Sequence, residues 1–427
     1  MIRAVRLLHC LFAAALFGAA PAHAFLLSYG STGSMTGDHK KFMDELVHSF
    51  RLEHPEVNIE VRESTSYLKP IIETMMSAIG DGSPDVAVVG LVEWPILRQK
   101  DLLNPLSVVL SGDELARIRG ALRPELTGQY YGKDADGAKY ALPFNRAYPI
   151  LYVNASLLPQ LKGEVTWKSL AAALERERAK GGDNVAKLKL TLPLEDWIWE
   201  YVLANRRGQP TLAGTRASLA DEATRDVVKT LRELRAKGLV DFVPTMQEAY
   251  TDFTQGTTAG AVLSFSSYTS VGLRADFKFR ILMPPRFERK ETILGGGDLV
   301  LPRDPKRSMD TKTREDMRAF VKWFYLGKGA AVWSKLVGYL PVTKAAAGDG
   351  VFRAKLATRP PEDKAVYLNA GRWRIGSFYR LDRLCNVVKA RKAMGDGARE
   401  ALLGPEPDNA LAHTEAQLNV LLLLGCD

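Results

Sequence analysis

The chain has 427 residues, 46% of them hydrophobic, which is long and apolar enough for two domains with full cores. Its formal charge of +9 comes without a dense Lys/Arg block interleaved with aromatic residues, which argues against nucleic acid as a partner. Six scattered histidines, with no His-x-x-x-His, Cys-x-x-Cys or EF-hand pattern, give no metal site and no reason to expect a cofactor.

Met1-Ile2-Arg3-Ala4-Val5-Arg6 is a cationic start, Leu7 to Ala20 is apolar apart from His9 and Cys10, and Ala22-His23-Ala24 is a small-x-small site. Together they read as a secretory signal peptide over residues 1–24, cut after Ala24. The apolar run falls short of the roughly 20 residues that a membrane anchor needs. Cleavage leaves 427 − 24 = 403 residues and, without Arg3 and Arg6, a charge of +7. Cys10 goes with the cleaved part and lacks the small residues that precede a lipidated cysteine, so a soluble periplasmic protein is expected. The mature chain keeps Cys385 and Cys426, and in an oxidising compartment such a pair is expected to form a disulfide.

Phe25 to Tyr29 reads as a short strand running into a polar turn, Gly30 to Gly37. Phe42, Leu46, Val47 and Phe50 then share one helical face, capped by Thr36 or Asp38 and ended by Pro55. Val57, Ile59 and Val61 alternate with polar residues, as in a half-buried strand. A second helix is expected from Ile71 to Ile79, stopped by Gly80-Asp81-Gly82, and Pro84 to Val89 reads as a buried parallel strand. This βαβ rhythm implies an open α/β sheet with ligands beyond the strand ends. Lys139 to Asn145 and Pro149 to Asn154 read as a strand pair with no helix between, where a first crossing between two lobes is expected. From Thr166 the chain reads as mainly helical to Gly238, followed by strands at Ala261 to Ser264 and Phe277 to Met283. The triple glycine Gly295-Gly296-Gly297 is expected to return it to the first lobe, which helices over Glu315 to Leu326 and Ala330 to Leu336 complete. After Tyr339 it crosses again, so the expected lobes are 25–145 with 292–337, and 146–291 with 338–427.

Seven segments carry a family likeness in order along the chain. They are the helix from Phe42 to Phe50 with Pro55, then Pro84-Asp85-Val86, then Gly137 to Asn154 with its Gly-x-x-Tyr-x-Leu-Pro and Leu-Tyr-x-Asn. Val165-Thr166-Trp167, Phe253 to Ser267, Gly295 to Leu299 and Gly338-Tyr339-Leu340-Pro341-Val342-Thr343-Lys344 follow. Through them the chain resembles the extracellular solute-binding proteins of ABC importers, in the class that includes maltose and glycerol-phosphate receptors. The resemblance implies an α/β, two-lobe periplasmic-binding-protein fold of type II, with several chain crossings at the hinge. It also implies a function without catalysis. A hydroxyl-rich solute (a sugar, a polyol or a glycerol-phosphate-like compound) is captured between the lobes. It is then delivered to ABC permease subunits in the inner membrane, with a cytoplasmic ATPase behind them. A monomer is expected.

The positions that match ligand contacts of the glycerol-phosphate receptors are Tyr67, Ser266 or Ser267, Gly296 and Tyr339. Their chemistry suits the role. Tyr67 and Tyr339 each offer an aromatic face and a hydroxyl, and Ser266 and Ser267 follow a strand end. Gly295 and Gly296 leave backbone N–H groups open to close approach by an anion or a hydroxyl. Two departures matter. Where those receptors place an acidic residue this chain has Leu91, with Glu93 two residues on and on the same strand face if the strand continues. Where they have small hydroxyl residues, Arg146-Ala147-Tyr148 stands, which makes Arg146 a candidate for a phosphate or carboxylate. A further arginine is expected from among Arg374, Arg380 and Arg383. Trp197 and Trp199 lie two apart on a helix and cannot share a face; one is expected in the core, and Trp197 is preferred for stacking on a sugar ring. The fold and role transfer from the family, and the ligand does not.

The rival class is an exported carbohydrate-active enzyme, a glycosidase or lyase using two cleft carboxylates, which 49 acidic residues leave open. A Ser-His-Asp hydrolase is disfavoured: there is no Gly-x-Ser-x-Gly elbow, and His39, His48 and His54 lie in or beside an ordinary amphipathic helix. A chemoreceptor-docking or scaffold module without transport is a third possibility.

Overall fold

The computed structural model describes residues 24–30, 36–64, 72, 83–127, 137–208, 211–213, 216–306, 308–369, 373–376 and 386–424. The signal peptide before Ala24, Tyr67, the helix expected over Ile71 to Ile79 apart from Ile72, Arg380, Arg383 and the pair Cys385 and Cys426 lie outside the described residues.

The first part of the chain runs β1 (Phe25–Gly30), α1 (Thr36–Arg51), β2 (Ile59–Ser64), β3 (Val86–Gly90), α2 (Trp94–Gln99), β4 (Leu103–Asn104), α3 (Gly112–Ala121) and β5 (Ala141–Ala147). α1 forms because its apolar residues recur at three- and four-residue spacing. Phe42, Met43, Leu46, Val47 and Phe50 are all buried, each side chain stabilising by about 1.5–3 kcal/mol. The second part runs β6 (Pro149–Asn154), α4 (Trp167–Arg178), β7 (Leu190–Pro193), α5 (Asp196–Arg207), β8 (Leu212–Ala213), β9 (Arg216–Ala217), α6 (Glu222–Ala236), β10 (Val240–Val243), α7 (Met246–Thr254), β11 (Gly260–Ser264), α8 (Tyr268–Arg274) and β12 (Phe279–Leu282). After β13 (Glu291–Ile293) come β14 (Gly295–Pro302), α9 (Thr311–Leu326) and α10 (Gly329–Val337). The C-terminal part is α11 (Lys344–Gly348), α12 (Gly350–Ala357), α13 (Pro361–Asn369), β15 (Arg374–Gly376), α14 (Val387–Leu403) and α15 (Pro407–Leu423).

These strands build two main sheets. One has the order β2-β1-β3-β14-β4, with β5 also on β14; the other has the order β10-β7-β11-β6-β12. The first sheet is mixed rather than wholly parallel. β3 runs parallel to β1 but antiparallel to β14, with Asp298 opposite Val89. The strands on either side of Tyr148 do not pair with each other. β5 joins the first sheet through β14, and β6 joins the second through β11 and β12, so the single residue Tyr148 carries the chain from one sheet to the other. The stretch from Thr166 to Gly238 is less helical than its sequence suggests, because β7 sits inside it. A four-residue strand with every residue buried has no alternation to read.

The second sheet and its helices close before β14, which returns the chain to the first sheet through Gly297 opposite Gly90 and Gly295 opposite Ala147. Helices α9 and α10 are locked there by aromatic contacts. Tyr29 meets Trp333 edge-on with ring centres 5.5 Å apart, Phe144 stacks on Phe324 at 4.4 Å, and Phe50 meets Phe320 at 5.4 Å. The C-terminal helices divide between the two sheets: α11 and α12 pack on α10, whereas α13 packs on β12, and α14 packs on α5 and α15. Among the described residues no helix is long and apolar enough to cross a membrane.

Candidate ligand-binding cleft

Three stretches of the chain lie side by side at the junction of the sheets. They are Ala147-Tyr148-Pro149, Ile293-Leu294-Gly295 and Tyr339-Leu340, the last pinned by the Leu340 N–H donating to the Arg146 carbonyl at 2.9 Å. Beside them opens a cleft of about 740 Å³, mouth included, lined from both sheets and from these stretches. The first sheet supplies Gly90 to Glu93 at the end of β3. The second supplies Glu195 and Trp197 at the start of α5, Met246 at the start of α7, and Ser264 and Ser266 at the end of β11. Ala147, Leu294, Gly295, Gly296 and Tyr339 form the floor, and Arg391 reaches in from α14. Strand ends and helix starts meet here, which is where an α/β sheet exposes backbone groups to a ligand.

Glu93 reaches the cleft by a different route from strand alternation. β3 stops at Gly90, and Glu93 stands immediately before α2 with its side chain folded back over Gly90. A Cβ built on Gly90 would lie 1.9 Å from the Glu93 carboxylate, so glycine makes room for it. The carboxylate is buried and accepts from Arg391 Nη1. Arg391 also holds Asp196 in a fork, with Nε at 2.6 Å and Nη2 at 3.2 Å. The Glu93–Arg391 pair therefore joins the two sides of the cleft. Burial pushes the Glu93 carboxyl above its ordinary range and the charge of Asp196 adds to this, against the pull of Arg391. Burial raises Glu195 as well, helped by Asp196 and opposed by the N–H groups of Met246 and Trp197.

Glu195 fixes the aromatic wall. One oxygen accepts from the backbone N–H of Met246 at 2.6 Å, and the other accepts from Trp197 Nε1 at 3.0 Å. The indole thereby lies against the glycine floor, and a Cβ on Gly295 would come within 3.5 Å of it. Trp199, on the opposite face of α5, is buried. Gly296 has φ +126°, and a Cβ there would sit 2.3 Å from the Asn145 carbonyl, so no other residue fits this bend. Tyr339 follows Gly338, whose φ of +103° ends α10. Its ring stacks on Trp333 at 6.1 Å, and only 3% of the residue is exposed.

Of the residues singled out by sequence, Glu93, Trp197, Ser266, Gly295, Gly296 and Tyr339 come together at this cleft. Ser267 is buried behind it, while Ser266 bonds Ser264 Oγ at 2.7 Å. Arg146 does not reach the cleft. Alternation along β5 turns Ala147 to the cleft and Arg146 to the opposite face, where its side chain is fully buried. There its guanidinium donates to the carbonyls of Leu126 (2.9 Å), Asn145 (2.8 Å) and Gly297 (2.8 Å) and pairs with Asp298, stitching β5 to β14. Arg374 lies on β15, opposite Glu291 of β13. Sequence reasoning missed Arg391, Glu195, Met246 and Ser264. Of these only Glu195 carried a signal, an acidic residue two before a helical tryptophan.

The model of the bacterial extracellular solute-binding proteins matches residues 45–359. The sn-glycerol-3-phosphate-binding periplasmic protein UgpB of Escherichia coli K12 is 24% identical over 332 residues, which are 73% of this chain and 74% of that protein. Among solved structures, UgpB from Mycobacterium tuberculosis in complex with glycerophosphocholine superposes with a TM-score of 0.76 at 20% identity, covering 95% of this chain and 99% of that one. The GacH receptor of Streptomyces glaucescens, solved unliganded and with acarbose, gives 0.75 at 16% identity, covering 94% and 99%. Maltose-bound MalE3 of T. maritima gives 0.73 at 14%, covering 93% and 99%. At these identities the likeness shows the fold, the two-lobe α/β architecture of periplasmic binding proteins.

Proposed function

This chain belongs to the bacterial extracellular solute-binding proteins, and we propose that it captures a hydroxyl-rich solute in the cleft between its two sheets. It serves as the substrate-binding component of an ABC importer and hands the solute to a permease in the inner membrane. The signal peptide is removed after Ala24 and the mature protein works as a periplasmic monomer. Its lobes are 25–145 with 292–337, and 146–291 with 338–427. The binding residues are Glu93, Trp197, Ser266, Gly295, Gly296 and Tyr339, to which we add Glu195 and Arg391.

The observation that carries this reading is the cleft's construction. An aromatic wall, exposed backbone at a glycine floor and buried carboxylates converge from both sheets beside the stretches of chain at their junction. Such a site closes around a solute by hinge motion and gains from differential binding to the closed state. A thermal-shift screen over sugars, polyols and their phosphates tests it. A solute at about 100 times its Kd stabilises the native state by about 2.7 kcal/mol. Absence of any shift across the screen, together with turnover of a glycoside panel, would favour an enzyme instead.

A further inference from the structure

A second cavity adjoins the cleft along the chain. Tyr339 lines the cleft, whereas the next two residues, Leu340 and Pro341, line a separate cavity of about 900 Å³, mouth included. Phe352 and Leu356 of α12 and Tyr367 of α13 continue its apolar wall. Because α12 packs on α10 and α13 packs on β12, the cavity opens where helices of the two sheets meet. Arg123 and Glu125 line it as an ion pair at 2.7 Å, and Lys344 adds a further positive charge. The Tyr367 hydroxyl and Arg359 Nη1 are both buried without a hydrogen-bond partner among the described residues. Tyr367 is 7% exposed and Arg359 8%, and the guanidinium lies 4.6 Å from the centre of the Tyr367 ring and 3.7 Å from that of Tyr268. Buried donors left without an acceptor are costly, so two of them side by side point to an acceptor from outside the chain. The Asp363 carboxylate in their neighbourhood is engaged by the Tyr268 hydroxyl and the Ile281 N–H. The local charge agrees. Lys355 lies four residues before Arg359, and burial, with the positive charges of Arg359 and Lys335, holds it down to about 8. A carboxylate can accept from the hydroxyl at one oxygen and from the guanidinium at the other. A phosphate dianion brings more charge than these apolar walls can desolvate.

We propose that this cavity is a second small-molecule site, separate from the cleft, for an amphipathic carboxylate. Its apolar body lies along Pro341, Phe352 and Leu356, and its carboxylate accepts from Tyr367 and Arg359. The site goes beyond the solute-receptor reading and does not depend on it.

The test uses the mature protein at neutral pH with sodium hexanoate as probe. Hexanol, hexylamine hydrochloride, sodium phosphate and sodium chloride are the comparisons, the salts at equal ionic strength, read by thermal melting and titration calorimetry. Hexanoate should raise the melting temperature above chloride, and the neutral alcohol, the amine and phosphate should not. Tyr367→Phe removes a hydroxyl that bonds nothing in the free protein. It should melt like wild type and bind hexanoate roughly tenfold more weakly. Leu356→Glu puts a negative charge into the cavity from a half-buried position and should abolish the effect, whereas Trp197→Ala, in the cleft, should leave it intact. The proposal is overturned if hexanoate does no better than hexanol or phosphate. It is equally overturned if the hexanoate effect survives unchanged in Tyr367→Phe or Leu356→Glu, or is lost in Trp197→Ala, which would place the carboxylate in the cleft. None of these outcomes touches the solute screen, so the receptor reading stands or falls separately.

Discussion

Arg391 is where the chemistry of single residues has most leverage. It is the shared partner of Glu93 and Asp196, and its own side chain is 30% exposed. Replacing it by glutamine leaves two carboxylates facing each other with their common cation gone. We expect Arg391→Gln to lower unliganded stability by about 2 kcal/mol, less than the 3–5 of a fully buried broken pair because water still reaches the site. Adding Glu93→Gln should restore most of that loss. Denaturant unfolding of the two variants measures it, and a double variant as unstable as the single one would mean that Arg391 acts through packing alone. No sequence signal flagged this arginine. It lies in the second turn of an amphipathic helix among other charged residues, and it joins the cleft only because α14 packs on α5. Arg146 misled in the opposite sense. It stands in a well-marked segment, yet strand alternation sends it to the buried face, which a sequence read without the β14 partner cannot decide.

Elements hold the cleft residues in place, and β14 shows how strictly. The sequence suggests that Gly296→Val should remove ligand binding while leaving the fold intact. The structure reverses that expectation: at φ +126°, with the Asn145 carbonyl 2.3 Å from any added Cβ, even alanine must distort the β5–β14 pairing. Gly296→Ala should therefore cost at least about 2 kcal/mol, visible as a lowered melting temperature before any ligand is added. Tyr339→Ala has the same defect, since the ring stacks on Trp333, so Tyr339→Phe is the cleaner probe of its hydroxyl. Trp197→Ala is the clean probe of the wall, because the indole is only half-buried. The α3–α9 contact adds a pH-dependent link. Ser111 and Glu114 form a reciprocal cap at the start of α3, and Glu114 also meets Arg318 and Lys322 of α9. Burial alone would raise Glu114, but Arg318, the Ser111 N–H and Lys322 outweigh it and hold the carboxyl at about 2. A depressed carboxyl stabilises the fold above its unfolded value and loses that contribution as pH falls through the folded value. Glu114→Gln should thus cost about 1–2 kcal/mol at pH 7, discounted for the exposed cations, with the difference from wild type vanishing between about pH 4.5 and 2. The elements themselves were largely legible, because α1, β1, β11 and α9 announce themselves by period and punctuation. The short β7 and β10 were not, since four-residue strands carry too little pattern.

At the scale of the whole molecule, the two-lobe fold was readable because seven separate segments agreed in order, while the closure contact was not. The Glu93–Arg391 pair spans the cleft between the first sheet and α14, and we expect it to favour closed over open lobes before any solute arrives. Removing the carboxylate should shift the unliganded equilibrium toward the open form. Small-angle scattering can read this directly, against the roughly 21 Å radius of gyration expected for a compact chain of about 400 residues. We expect wild-type protein to contract on binding its solute. Glu93→Gln should start from a larger unliganded radius than wild type and contract to the same liganded value, given enough solute to compensate for weaker binding. High salt should enlarge the unliganded wild type only modestly, because a largely buried pair is poorly screened. The melting temperature supplies an independent check through proton linkage. Burial raises Glu93 and Glu195, so in mildly acidic solution the folded state holds protons that the unfolded chain lacks. Their contribution to stability therefore grows as pH falls from the raised folded values toward about 4.5, opposite in sign to Glu114. Yet protonating Glu93 also loosens its hold on Arg391, so the same acidification should enlarge the unliganded radius while the melting temperature rises. A protein that grew more stable and more compact together would show that the pair does not govern closure, and that packing at the junction of the sheets sets the resting position of the lobes.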